Sequence, residues 1–352
     1  MAEMLGLTPP TLTRLSLMLI EQGLLRETDR IHEEGKRGTP AQLLDIDPSG
    51  GYTIGIGLTP ETVSVCLVDL VGKVQVARKA PLTQRDPAGA ADLISELIES
   101  LLSTKKVFAR RLLGAGITVP GAFNPRGPFI NPTPEFPDWG EINVPDYFTE
   151  RLALPVLHEN DGNAAALSEA YFGHGRSYAD FAFIYLAHGI GGGLIISRRL
   201  FRGAHGNAAE FGVQFPRDRE RPSVQDLLAF LRENGIPVRD VEGLAADEIP
   251  PMVLDRWLDR AAAQLCELVL TLTWSFDPQA IIFGGLLPSG ILERLVERVQ
   301  DRARQHHPPN LFLPELRAAA LNGRGPELGA ASLPFYHHLA PHDYGGRVLK
   351  GW

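Results

Sequence analysis

The succession of apolar and polar segments predicts an α/β protein: layered sheets and helices, with a small helical head in front. Three observations carry this. From Gly51 onward, short apolar runs of strand character alternate with longer amphipathic runs of helical period, the pattern of α/β layers. The first fifty residues break that rhythm, with two helical stretches about a tight turn and then two short strands about a basic tip. Finally, 352 residues with an apolar fraction of 44% suffice for two or three units, each with its own core.

In the head, Met1 to Leu5 reads as the end of a helix and Gly6-Leu7 as a turn. Thr8 is placed to cap the next helix, with Pro9 at its first position. Leu12, Leu15 and Leu19 recur at i, i+3 and i+7 and mark one buried face, and Gly23 suits the stop. Leu24 to Thr28 and Ala41 to Ile46 read as strands, joined by a loop that carries Lys36 and Arg37 between Gly35 and Gly38. Helix, turn, helix and basic-tipped hairpin fit a winged helix-turn-helix; a helical cap followed by an ordinary hairpin fits as well.

Beyond Gly51, Tyr52 to Ile56 and Val63 to Asp69 are apolar strands, with Gly72 at a turn, and Ala88 to Leu102 is an amphipathic helix. Leu113 to Val119 is a further buried strand. Residues 127–146, rich in Pro, Asn and Gly, read as a long surface loop. Pro155-Val156-Leu157 leads into Asn160-Asp161, and Ala164 to Tyr171 is a helix. Phe181 to Leu186 and Gly193 to Ile196 form strands on either side of a glycine run. Pro251 to Phe276 is a long helix, Ala280 to Phe283 a strand closed by Gly284-Gly285, and Leu292 to Arg304 a helix. The end of the chain, with His337, His338 and His342, reads as a loose tail. The divisions that follow are 1–48, 49–160, 161–335 and a tail at 336–352.

A net charge of −8 gives no overall attraction to nucleic acid or anionic lipid, so any DNA contact needs a local patch. Cys66 and Cys266 lie in apolar strings and read as core residues, not as a disulfide or metal site. No segment has the roughly 18 apolar residues needed to span a bilayer, and the first residues lack a secretion-signal pattern. A cytoplasmic protein is expected.

The chemistry concentrates between Glu159 and Gly212. An Asn160-Asp161 pair after a buried strand can grip sugar hydroxyls, or cap the helix that follows. Gly189, Gly191 and Gly192 belong to a run that can let backbone approach a phosphate, or serve a tight strand connection. Arg202 to Gly212 then brings His205 and Glu210. These pieces, with Ile281 to Gly285 and Gly329-Ala330-Ala331, resemble the ROK family of sugar kinases and related transcriptional repressors, built on the actin-like ATPase fold of two lobes. Gly6 to Pro40 resembles the winged helix-turn-helix of the repressor branch.

The resemblance implies roles position by position. Asp161 matches the base that takes the proton from the sugar hydroxyl in the kinases, Asn160 is its partner at adjacent hydroxyls, and Glu210 matches a sugar-binding glutamate. His205 lines the pocket or bonds the loop backbone. Gly189, Gly191, Gly192, Gly284 and Gly285 match a nucleotide loop, here vestigial. The kinases end their first strand in an Asp followed by a Gly-Gly-Thr type turn that cradles ATP phosphates; here Gly57 takes the place of the Asp, Pro60 brings no N–H, and Glu61 adds a carboxylate. Val213 replaces a histidine that touches sugar and ligates zinc, and 214–222 lacks the family's cysteine-rich zinc loop. No zinc, ATP or Mg²⁺ is therefore expected, and no catalysis.

The implied function is a sugar-responsive repressor, a homodimer that reads a DNA operator through Arg14, Lys36 and Arg37. A sugar kinase, and a sugar-binding protein without DNA binding, are the other readings. Residues 1–50 hold five Lys/Arg against eight Asp/Glu, against the basic footprint DNA binding prefers. The head also lacks the family's first helix, and a truncated start is expected.

Overall fold

The computed structural model describes residues 2, 5–31, 41–104, 107–124, 129–241, 244–323 and 326–339. Helix α1 (Pro9–Glu21) precedes the antiparallel hairpin β1 (Leu25–Ile31) and β2 (Ala41–Ile46). Gly6 and Gly23 adopt left-handed backbone, φ +64° and +72°, at the two expected turns. Thr8 takes the N-cap position, yet its side chain caps nothing. Pro9 and Pro10 remove the first two N–H groups, and the hydroxyl instead meets Thr11 Oγ1 at 2.8 Å. Leu12, Leu15 and Leu19 are half-buried, and α1 has no buried residue. Arg14 is exposed. Lys36 and Arg37 lie outside the described residues.

The first sheet comprises β3 (Tyr52–Leu58), β4 (Thr62–Asp69), β5 (Val74–Pro81), β6 (Leu112–Thr118) and β7 (Val156–Glu159), in the order β5-β4-β3-β6-β7. The first three are antiparallel neighbours; β6 and β7 run parallel to β3. Helices α2 (Pro87–Leu102), α3 (Val107–Arg110) and α4 (Val144–Leu152) follow β5 and flank β6. One sheet face packs on α2, α4 and the indole of Trp139. The expected long loop over 127–146 is therefore partly structured: Trp139 is fully buried in a 3-10 turn, its Nε1 donates to Arg85 O at 2.7 Å, and α4 begins at Val144.

After α5 (Asp161–Phe172), the second sheet comprises β8 (Phe181–Leu186), β9 (Ile190–Ile196), β10 (Arg199–Leu200), β11 (Ala280–Gly285) and β12 (Glu315–Ala318), in the order β10-β9-β8-β11-β12. It repeats the arrangement of the first: an antiparallel meander of three strands, then two parallel strands. Helices α6 (Val224–Glu233), α7 (Pro251–Phe276) and α8 (Ser289–His306) cover one face, and α5 the other.

The final helix, α9 (Pro326–Leu339), crosses back and packs on β3, β6 and α5. Thr53 Oγ1 donates to Ala331 O at 2.8 Å from within the first sheet. The expected start of a tail at 336 falls inside this helix, which continues through Leu339, with Tyr336 buried. His337 and His338 lie on it, whereas 340–352, with His342, fall outside the described residues. Cys66 and Cys266 are buried and not joined in a disulfide, and among the described residues no helix is long and apolar enough to cross a membrane. Leu24 of the head packs with β4 and α9 residues, so the head rests on the first sheet's layer.

Candidate functional site

The two sheets face each other across α5 and α9, and α5 starts where β7 ends. Asn160 is the N-cap of α5: its Oδ1 accepts from Gly162 N at 2.8 Å and Asn163 N at 3.4 Å. The capping role is thus real, and it leaves the Asn160 amide nitrogen as the group that can meet a ligand. Asp161 opens the helix with Oδ1 2.9 Å from Gly162 N, at the positive end of the helix dipole. Burial raises its pKa, opposed by backbone N–H groups and by His188.

Glu210 follows β10 of the second sheet, at the N-cap position of a short 3-10 turn (Phe211–Gln214), where its side chain makes no capping hydrogen bond. Its pKa is raised, first by burial and then by the charge of Asp161. The buried Tyr185 hydroxyl is raised well above its ordinary value by burial, then by Asp161 and Glu327. Glu210 and Tyr185 are therefore both desolvated and within the electrostatic reach of Asp161. Carboxylate oxygens in such surroundings are able to accept from the hydroxyls of a polyol. His205 is exposed, on the bend between Gly203 and Gly206, and is not among the enclosed groups.

The loop carrying Glu210 is fastened at two points. Arg202 Nε donates to Glu159 Oε2 at 2.9 Å and its Nη2 lies 2.8 Å from the same oxygen. Glu159 Oε1 accepts from Asn160 N at 3.0 Å and Asn163 Nδ2 at 3.1 Å. Further along, Asn207 reads the backbone of Phe123 in both directions: its Oδ1 accepts from Phe123 N and its Nδ2 donates to Phe123 O, each at 2.8 Å. Phe123 in turn lies 5.2 Å, centroid to centroid, from the ring of His158. These clasps join the first unit to the second, and sequence reasoning missed them. Arg202 and Asn207 stand within the singled-out segment, but their partners lie 43 and 84 residues away.

The glycine run differs from the loop the sequence suggested. Gly191 and Gly192 lie inside β9, and only Gly189 sits in the turn. A Cβ on Gly162 would lie 2.5 Å from Gly192 N, so these glycines let α5 approach the strand. Gly284 and Gly285 end β11, both buried.

The first-sheet turn that matches a phosphate cradle is closed on itself. Thr59 N donates to Thr62 O at 2.9 Å. Thr59 Oγ1 accepts from Thr62 N at 3.0 Å and from Glu61 N at 3.4 Å. With no N–H on Pro60, the donors of this turn face its own oxygens. A Cβ on Gly57 would lie 2.6 Å from Glu327 N and from Pro326 Cγ, so α9 fills the space a metal-binding Asp would need. Glu61 reaches across to His188, Oε2 to Nε2 3.1 Å. Val213, at the family's zinc-ligand position, is 80% exposed, and 214–222 offers no thiolate or imidazole. At these two places the residues thus present a turn whose donors are engaged and a segment without thiolate or imidazole.

The model of the ROK family matches residues 53–222. The protein y4fQ of Sinorhizobium fredii is 32% identical across 100% of this chain and 88% of its own length. The xylose repressor of Bacillus spizizenii is 28% identical over 60% of this chain, spanning 54% of that protein. Among solved structures, a ROK family transcriptional regulator homologous to the E. coli MLC protein superposes with TM-score 0.73 at 22% identity, over 95% of this chain and 89% of its own; at that identity the likeness is one of fold. A ROK family glucokinase from Streptomyces griseus, solved with glucose and AMPPNP, gives TM-score 0.69 at 25% identity, over 80% of this chain and 99% of its own.

Proposed function

The chain belongs to the ROK family, and from that premise we propose that it is a sugar-responsive transcriptional regulator, a repressor whose two-sheet body is a receptor and not a phosphotransferase. The self-closed turn of Thr59 to Thr62 supports this most directly. Phosphoryl transfer rests on positioning and on stabilising transferred charge, and this turn presents no free donors for it. A sugar or sugar derivative would lie between Asn160-Asp161 and Glu210, without nucleotide, Mg²⁺ or zinc.

In this reading the head contacts a DNA operator through Arg14, Lys36 and Arg37, as one half of a homodimer in the cytoplasm. Ligand closes the cleft and moves the paired heads off half-site spacing. The test is an operator shift at moderate salt with DNA from upstream of the protein's own gene: a retarded band that sugar releases supports the proposal, and no retardation at micromolar protein ends it.

The second reading is an ATP-dependent sugar kinase. Asp161 favours it: a carboxyl with raised pKa at the start of α5 suits a general base. Release of ADP on adding glucose, mannose or an N-acetylated hexose with Mg²⁺-ATP would select that reading.

A further inference from the structure

The loop that follows β10 is fastened to both units, and one residue in it takes up the difference. Residues 122–124 and 129–131 of the first unit form a short hairpin. Asn131 N donates to Ala122 O at 2.7 Å and Asn124 N to Phe129 O at 2.8 Å, on either side of the bridge pair Phe123 and Ile130. In an antiparallel pair of this kind the central residue turns its own N–H and C=O away from its partner. The open edge at Phe123 is filled by the Asn207 carboxamide, which accepts from Phe123 N and donates to Phe123 O, each at 2.8 Å. That side chain stands in for one peptide unit of a further strand. The loop around it closes on itself through Ala208 N to Arg202 O, 3.1 Å. Gly206, in left-handed backbone at φ +83°, lies against Phe123.

Beyond Glu210 the chain belongs to the second sheet. Phe211 is buried, and a Cβ on Gly192 would lie 2.3 Å from its ring. A Cβ on Gly212 would lie 2.3 Å from Ile190 O, so this stretch is seated directly on β9. Glu210 itself, at φ −69° and ψ 59°, is the centre of an inverse γ-turn, closed by Phe211 N to Ala209 O at 2.7 Å. Between the two attachments stands Ala209, with φ +67°. A residue with a Cβ avoids this left-handed region and stays there only where its surroundings fix it. Here they are the Asn207 contact on the first unit, two residues before, and the Phe211 anchor in the second sheet, two residues after.

We infer that residues 202–210 form a strap between the two units, latched by Asn207 and held under strain at Ala209, and that release of the latch lets Ala209 relax and exposes the Glu210 carboxyl. Arg202, held on Glu159, is the fixed end, so the part that moves is 203–210. Two hydrogen bonds on a part-buried backbone edge oppose the strain of one residue. Burial, then the charge of Asp161, raises the Glu210 pKa in the latched state, so like-charge repulsion also favours release. A strand edge is either paired or unpaired, which gives the strap two positions. Its consequence for ligand entry rests on the receptor reading, which makes Glu210 a ligand contact; the latch itself does not.

The experiment is amide hydrogen exchange of the full chain without ligand, read by mass spectrometry on peptides covering 121–124, 203–211 and, in α7, 254–272, beside carbodiimide labelling of carboxyl groups. Asn207→Ala removes both hydrogen bonds; Asn207→Asp keeps the acceptor for Phe123 N and loses the donor to Phe123 O. In each, exchange at 121–124 and 203–211 should be about tenfold faster with α7 unchanged, and Glu210 should be labelled about threefold faster. Ala209→Gly, which relieves the strain and touches neither hydrogen bond, should slow exchange at 121–124 about threefold. Equal exchange at 203–211 in the wild type and both Asn207 variants overturns the latch. Acceleration that extends through α7 makes Asn207 a general stabiliser and overturns it too. An Ala209→Gly chain that exchanges no more slowly than wild type at 121–124 refutes the strain, and this arm decides even if Asn207→Ala does not fold. No sugar enters these measurements, so the strap can stand where the receptor reading fails, and fail where that reading stands.

Discussion

The pair Glu159–Arg202 allows a sharp test, because its two members sit in unlike surroundings. The Glu159 side chain is 1% exposed and that of Arg202 30%. Each Glu159 oxygen is engaged: Oε1 by Asn160 N and Asn163 Nδ2, Oε2 by Arg202. Arg202→Met would leave a buried carboxylate with half its donors. Breaking a buried pair from one side costs about 3–5 kcal/mol; the two surviving N–H donors place this case near the lower end, about 3 kcal/mol. Glu159→Gln leaves the opposite remainder, an arginine that can turn to water, and keeps an acceptor for Asn160 and Asn163; about 1–2 kcal/mol is expected. The double variant should lie closer to Glu159→Gln than to the sum of the singles. Urea unfolding followed by tryptophan fluorescence and far-UV circular dichroism measures all three. If Glu159→Gln proves the more harmful single change, or if Arg202→Met costs under about 1 kcal/mol, the account of a buried clasp fails.

Three further outcomes are expected. Burial holds the His158 imidazole at a pKa of about 4, against a weaker opposing effect of Glu159; a lowered histidine gives stability that is present above pH 6.5 and lost as pH falls toward 4, on the order of 3 kcal/mol, and His158→Phe should flatten that acid limb in Tm-versus-pH scans. For Asp161, whose pKa burial raises, the sign is opposite: stability is fullest below the ordinary carboxylate value and declines as pH rises through the raised one, so Asp161→Asn should raise Tm at pH 7.5 more than at pH 4 while abolishing ligand-induced shifts. The Glu61–His188 contact is exposed, 58% and 33% on the two side chains, so Glu61→Gln should change stability by less than about 1 kcal/mol, and any difference should shrink in 0.5 M salt when unfolding is repeated there.

Local chemistry made much of the fold legible. Pro251 to Phe276 and Ala41 to Ile46 were bounded by their own periodicity and punctuation, and the structure gives the same limits. The edge strand β5 escaped notice because none of its residues is buried and its Arg78-Lys79 pair dilutes the strand pattern. The glycine run read as a loop because composition cannot tell flexible turn from close packing; Ala166, Phe183 and Phe211 decide it. The path of α9 was out of reach, since its anchor joins Thr53 to Ala331 across 278 residues. In the site, Asn160, Asp161 and Glu210 were visible as residue types in a known order.

The clasps bear on how a ligand could be felt at the head. Asp161 stands at the first turn of α5, which packs on α9. The same α9 residues that cover β4, Leu328, Ala331 and Phe335, lie in one apolar cluster with Leu24, at the junction of α1 and β1. Asp161 and the head are thus separated by two helices in direct contact, and both helices are tightly fitted: α5 against Gly192, α9 against Gly55 and Gly57. Close-packed elements shift as bodies and do not deform locally. A ligand that draws Glu210 toward Asp161 pulls on a loop held at Glu159 and at Phe123, both on the first unit. The strain falls on the layer between the two sheets, the same layer on which the head rests.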